Sequence, residues 1–172
     1  MKYYISDLHL FHEKIMQLPN SDRPFKDVWE MHETIKKNWI SKGITNKDEV
    51  YILGDVGMYH EKEIASFFNK LPGRKYLVTG NHDIYNIKDK DFCKAFQWVK
   101  TYAEIRDKGR KVILFHYPIE EWDGFYRGAY HIHGHTHAEV IAKIPGRYNV
   151  SCDVIDFTPQ TLDELILTDT VF

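Results

Sequence analysis

Aspartate, asparagine and histidine recur along this sequence in short clusters: Asp7-x-His9, Gly54-Asp55, Gly80-Asn81-His82-Asp83, His116 and Gly134-His135-Thr136-His137. These side chains are hard-to-borderline ligands suited to manganese, iron or zinc, and an aspartate can bridge two cations with its two oxygens. Taken singly, each cluster says little, because a DxH pair arises by chance and a lone histidine is usually a surface or hydrogen-bonded residue. The spacing adds a condition. Asp7 and His9 are two residues apart, as are His135 and His137, so each pair can converge on one ion only where the chain turns.

What precedes the clusters makes them persuasive together. Short apolar runs at 2–6, 50–53, 75–79, 112–115 and 130–132 each stop at one of them. Each run reads as a buried strand that delivers a site residue at its C-terminal end. Packing gives a fold no reason to set carboxylates and imidazoles at five strand ends. Between the strands, Val28, Met31, His32, Ile35 and Trp39 recur at helical spacing, as do Ile64, Phe67, Phe68 and Leu71, so the chain reads as a layered α/β fold. The stretch 102–115, with Asp107-Lys108-Gly109-Arg110 at its middle, predicts a β-hairpin and a more antiparallel second half. Thr158 before Pro159 is expected to cap a last short helix through Leu165. Residues 147–153 read as a final strand leading away from the site, with Asn149 and Asp153 in structural hydrogen bonds. The longer irregular stretches, 11–26 and 120–129, are expected on the side where the strands end, the usual ligand crevice of an open α/β sheet.

The size and balance of the chain fit this reading. Its 172 residues, 43% hydrophobic, suit one domain over 1–172 with a proper core. A net charge of -2 gives no global pull toward nucleic acid or anionic lipid, so attraction for phosphate has to be local. Cys93 and Cys152 lack CxxC spacing and read as buried thiols rather than a zinc knuckle or a disulfide framework. No apolar run approaches the roughly 20 residues that span a bilayer, and a cytoplasmic protein is expected.

The full set, Asp7-x-His9, Gly54-Asp55, Gly80-Asn81-His82-Asp83, His116 and Gly134-His135-Thr136-His137, resembles the calcineurin-like metallophosphoesterase superfamily. The resemblance spans 7–137, and Ser6-Asp7-Leu8-His9 with Phe11-His12 is similar to its small, single-domain bacterial and phage members. It implies an α/β, four-layer αββα sandwich of two mixed sheets flanked by helices, with a dinuclear metal site at the strand C-terminal edge. Carried over by motif, Asp7, His9, Asp55 and His137 would take one metal, and Asp55, Asn81, His116 and His135 the other, with Asp55 bridging. The ions implied are two divalent metals, manganese first, with iron, zinc and nickel as alternatives. Two ions about 3.5 to 4 Å apart can clamp a phosphate and activate water for in-line attack.

The resemblance makes His82 the group that stabilises transition-state charge or protonates the leaving oxygen, with Asp83 orienting its ring. Phosphoprotein-phosphatase relatives carry a second aspartate three residues after the one equivalent to Asp55, where this chain has Met58, which points away from phosphoproteins. Other readings come from the residues alone. Arg23, in Asp22-Arg23-Pro24-Phe25, could make a bidentate contact to a substrate phosphate or be a solvated arginine. His12 could touch the phosphate, and Asn81 and His82 complete the expected substrate contacts. Tyr59, Trp122, Phe125, Tyr126 and Arg127 could form a rim that stacks a base or aromatic leaving group. His133 could approach the metals, whereas His131 packs or faces solvent.

The expected activity is hydrolysis of phosphodiesters, or of phosphomonoesters, in nucleotides, nucleic-acid ends or other small phosphate esters, with no membrane and no obligate protein partner. Two other readings stand beside it. A non-catalytic scaffold of the same fold would be expected to lose ligands, and none of the matched positions is lost. A nuclease on long DNA or RNA would want a basic groove, which the dispersed lysines do not form.

Overall fold

The computed structural model describes residues 1–21 and 23–169. It has two four-stranded sheets flanked by helices, the four-layer αββα arrangement. In the first sheet β1 (Lys2–Ile5), β2 (Glu49–Ile52), β3 (Arg74–Val78) and β4 (Val99–Lys100) lie in that order. All three pairings are parallel, so this sheet is not mixed. The second sheet runs β5 (Tyr102–Asp107), β6 (Arg110–Phe115), β7 (Tyr130–His133) and β8 (Arg147–Asn149), antiparallel between β5 and β6 and parallel thereafter.

The register explains the placement of the clusters. Ile5 pairs with Ile52, and Ile52 with Leu77, so the loops holding Asp7, Asp55 and Asn81 leave the first sheet at one height. In the second sheet Leu114 pairs with Ile132, and the Gly134 N–H donates to the His116 carbonyl. The two sheets meet where β1 continues: Ser6 bridges to Ser151, and its N–H donates to the Val150 carbonyl. All five clusters thereby reach a common edge.

The helices form where the periodicity predicts them. α1 (Val28–Ser41) buries Val28, Met31, His32, Ile35 and Trp39, and α2 (Glu61–Asn69) buries Ile64, Ala65, Phe67 and Phe68. Asp27 starts α1 by accepting from the Glu30 N–H, a carboxylate satisfying an otherwise orphaned donor. The short α3 (Lys90–Cys93) and the two-residue β4 carry no such periodicity and are absent from the sequence reading. The predicted hairpin is β5–β6, closed by Lys108 (φ 49°) and Gly109 (φ 82°), the left-handed pair that a two-residue turn requires. The last helix, α4, covers Leu162–Asp169, and its start corrects the sequence reading. Thr161, not Thr158, caps it: the Thr161 N–H donates to Glu164 Oε2 and Glu164 N–H to Thr161 Oγ1, a reciprocal pair that the T-x-x-E spacing allows. Thr158 instead bonds the Asp156 carbonyl.

Candidate metal centre

Turning the chain at the strand ends requires unusual backbone. Asp7 (φ 55°), His9 (φ 48°), Asp55 (φ 52°), His135 (φ 71°) and His137 (φ 49°) are all left-handed, a conformation that costs non-glycine residues energy and concentrates at functional sites. This is how Asp7 and His9, two apart in sequence, come to face one point, while His135 and His137 turn into different groups. Glycines let the loops close on each other: a Cβ on Gly80 would strike Asp55 Oδ1, and one on Gly134 would strike the Asp7 carboxylate and Ser6 Oγ.

The converging side chains make two groups that could each hold a metal ion, Asp7–His9–His137 and Asp55–His116–His135. Within each, the donor atoms lie within 4.8 Å of one another. Asn81 joins the second group, its Oδ1 lying 3.2 Å from His116 Nε2 and 3.1 Å from His135 Nδ1. Asp55 stands between the two: its Oδ2 is 3.5 Å from His116 Nε2 and 3.8 Å from His9 Nε2. The site's own chemistry fits a cation. His9 Nε2 is one of two buried side-chain polar atoms without a hydrogen-bond partner among the described residues, and it points at carboxylate oxygen. The donor set of carboxylate, amide oxygen and imidazole suits divalent first-row metals.

Electrostatics carry the same mark of crowded ligands. Against the cost of burial, hydrogen bonding and charge from Asp55 and charge from Asp7 raise the His116 imidazole to about 9. Against the same cost, His116 and His9 draw Asp55 below the usual carboxylate range. Burial raises Asp7 and drives His9 well down. His116 Nδ1 lies 2.6 Å from the Leu53 carbonyl, so it donates there and leaves Nε2 free for the site.

His82 belongs to neither group. Its side chain is 37% exposed, its Nε2 is 4.0 Å from Asp55 Oδ2, and its backbone N–H donates to Asp55 Oδ1. His12 stands beside it, with ring centroids 6.3 Å apart and its Nδ1 3.3 Å from His9 Nδ1.

Three expected roles meet different geometry. Asp83 does not orient His82; it is fully buried and its two oxygens accept from the backbone N–H groups of Asp55, Val56 and Gly80, stapling two ligand loops together. Burial pushes its carboxyl up to about 7 against the pull of those amides. Arg23 does not face the open site; its guanidinium turns inward to Asp153 and to the Asp7 and Leu8 carbonyls. Trp122 is not on a rim either, being buried against Ile113 and Ala129 with its Nε1–H donating to the Ala129 carbonyl.

Of the other residues expected at a rim, Tyr59, Tyr126 and Arg127 are exposed and Phe125 is half-buried. Tyr126 bonds Glu121, Arg127 pairs with Asp123, and Phe125 packs on Trp122. Tyr59, 62% exposed, packs against Tyr85 with centroids 5.3 Å apart and the rings tilted by 34°. His131 and His133 are both buried and stacked on each other, outside either ligand group. The sequence places Asn149 and Asp153 in structural hydrogen bonds on a strand leading away from the site; both make such bonds, but to the site residue His137. β8 ends at Asn149, and the chain then bends so that Asp153 Oδ2 lies 2.8 Å from His137 Nδ1, while Asn149 Nδ2 donates to the His137 carbonyl.

Comparison with known proteins converges on this geometry. An uncharacterised protein of Methanocaldococcus jannaschii, MJ1445, is 32% identical over 95% of this chain and 88% of its own. A solved structure from Aquifex aeolicus, the protein of unknown function AQ665, superposes with a TM-score of 0.73 at 28% identity, covering 100% of this chain and 99% of the other. An archaeal phosphodiesterase shares the fold, with a TM-score of 0.56 at 15% identity over 95% of this chain and 94% of its own. The family model of the calcineurin-like phosphoesterases matches residues 3–128, which hold all the candidate ligand loops except the last, and the chain belongs to that family.

Proposed function

We propose that this chain is a metal-dependent phosphoesterase that hydrolyses phosphodiester bonds of nucleotides or other small phosphate esters. The observation that carries the proposal is the pair of adjacent candidate ligand groups, Asp7–His9–His137 and Asp55–His116–His135, with Asp55 Oδ2 3.8 Å from His9 Nε2 and His82 beside them and outside both. In this reading Asp7, His9, Asp55 and His137 hold one divalent ion and Asp55, Asn81, His116 and His135 the other, with manganese the first candidate before iron, zinc and nickel. Two such ions would supply Lewis acidity to the phosphate and activate water for in-line attack.

The chain's own residues do the rest. Asn81 and the loop it begins present His82 to solvent, where its imidazole can donate a proton to the leaving oxygen. His12, half-buried next to His9, offers a second imidazole to the phosphate from the opposite loop. The exposed, mutually tilted pair Tyr59 and Tyr85, on the loops that follow Asp55 and His82, offers an aromatic face to a base or aryl leaving group. No described helix is long and apolar enough to cross a membrane, and Cys93 and Cys152 are both free.

The test is hydrolysis of bis-p-nitrophenyl phosphate against p-nitrophenyl phosphate by metal-stripped protein, with manganese, zinc, nickel and magnesium restored in turn. Metal-restored cleavage favouring the diester is expected. A preference for the monoester would reassign the substrate class, and silence with every metal would overturn the assignment as a hydrolase of simple esters.

A further inference from the structure

Arg23 and Asp153 form an ion pair in which both side chains are fully buried, with guanidinium NH2 2.8 Å from Oδ2 and Nε 3.0 Å from Oδ1. Burying two charges costs desolvation that their attraction often fails to recover, so such a pair is weak as a stabilising device and its other partners show what it holds. On the Asp153 side, Oδ2 also accepts from His137 Nδ1 at 2.8 Å and from Ser151 Oγ at 3.1 Å, and Oδ1 accepts from Ser21 Oγ at 2.9 Å. An ionised carboxylate only accepts, so His137 is the donor at Nδ1. In a neutral imidazole that donates from Nδ1 the lone pair lies on Nε2, here 3.9 Å from Asp7 Oδ1. On the Arg23 side, NH2 donates to the Asp7 carbonyl at 2.5 Å and NH1 to the Leu8 carbonyl at 3.1 Å. These are the carbonyls of the left-handed turn that swings Asp7 and His9 toward one point. One ion pair thus grips both halves of the Asp7–His9–His137 group.

The second group is held otherwise. His116 Nδ1 donates to the Leu53 carbonyl, and Asn81 Oδ1 faces His116 and His135. Neither Arg23 nor Asp153 bonds a residue of that group.

We propose that the buried Arg23–Asp153 pair is a positioning device for one metal site and not the other: Asp153 fixes His137 as the Nδ1–H tautomer with Nε2 presented to the ion, and Arg23 fixes the Asp7–Leu8 turn. The proposal rests on the two-ion reading above and makes the two sites unequal, one backed by a carboxylate and the other by a backbone carbonyl. A carboxylate behind a ligating imidazole orients it and raises its basicity, and removing such a partner commonly costs about 10- to 100-fold in metal affinity.

Two measurements test it. Long-range proton–nitrogen NMR on the metal-free wild-type protein at pH 8.5 reads the His137 tautomer directly and needs no variant to fold; an Nδ1–H imidazole is expected, and an Nε2–H imidazole would overturn the proposal. Calorimetric titration with Mn²⁺ then compares wild type with Asp153→Asn, whose folding is checked by circular dichroism. Expected are two ions bound by wild type and, in the variant, one at wild-type affinity and one weakened roughly 10- to 100-fold. Equal weakening of both ions, or of neither, would sink the assignment to a single site. Failure of the wild type to bind any Mn²⁺ would instead strike the two-ion reading on which the proposal depends.

Discussion

At the scale of the residue, the site is marked by strain that its neighbours hold in place. Five candidate ligands sit in left-handed backbone, each at a cost of order 1 kcal/mol or more, and such strain persists only where surrounding bonds over-determine it. Asp83 supplies three of those bonds. Asp83→Asn replaces an acceptor with a donor facing backbone N–H groups, and should cost roughly 1–3 kcal/mol in denaturant unfolding. A variant as stable as wild type would refute this staple role. Asp55, within reach of three imidazoles, is the opposite case. Asp55→Ala should abolish both metal loading and turnover, whereas His82→Ala should keep its metal and lose about 10²- to 10⁴-fold in kcat if it is a general acid. Undiminished turnover with retained metal in His82→Ala would remove it from the chemistry. The sequence made the converging clusters legible because each ends an apolar run. It misled where adjacency was read as contact: Asp83 follows His82, yet successive side chains diverge, and Asp83 goes inward to amides. It placed Asp153 in structural hydrogen bonds but could not name His137 as the partner, because that bond exists only after β8 ends and the chain bends back.

At the scale of the element, helical and strand periodicity carried most of the fold. α1 and α2 bury the residues spaced for it, and the Lys108-Gly109 turn closes the predicted hairpin. Pieces too short to show a period, β4 and α3, were invisible for that reason. So was the parallel register that levels the ligand loops, since pairing partners lie tens of residues apart. One helix residue also reaches the site loop. His32 of α1 is buried among Phe11, Trp29 and Phe67, and its Nε2 accepts the Phe11 N–H at 3.0 Å, which makes the ring neutral. Burial, with Lys36 adding, lowers its pKa to about 4. The folded state therefore resists protonation that the unfolded chain accepts near 6.5, so stability is full above about pH 6.5 and falls as pH drops toward 4. The loss has a ceiling of about 3 kcal/mol. His32→Gln keeps a carbonyl acceptor and removes the titration, so its unfolding free energy should fall less steeply over that window. Parallel pH profiles for the two proteins would show that His32 is not the source.

At the scale of the molecule, the candidate ligands come from both sheets: Asp7, Asp55 and Asn81 follow β1, β2 and β3, while His116, His135 and His137 follow β6 and β7. With a net charge of -2 there is no global pull toward polyanions, so in the proposed function phosphate is drawn to this edge alone, and turnover of small diesters should change little between 50 and 200 mM salt. A loss of roughly 10³-fold over that range, the scale of a multi-phosphate contact, would favour a long nucleic acid instead. Ions bound between the sheets would also hold them together, because the unfolded chain has no such site. A ligand selective for the folded state stabilises it by about 4 kcal/mol at a thousandfold excess over Kd. For a chain of this size, that corresponds to a melting temperature roughly 8–16 °C higher per ion. Chelation should therefore lower the melting point by at least that much, and restoring Mn²⁺ should return it in proportion to the logarithm of the free ion concentration. Asp55→Ala, lacking the shared ligand, should melt at the same temperature with and without chelator. If wild type is equally indifferent to chelation, the two groups of ligands do not bind metal across the sheets, and their convergence would need another cause.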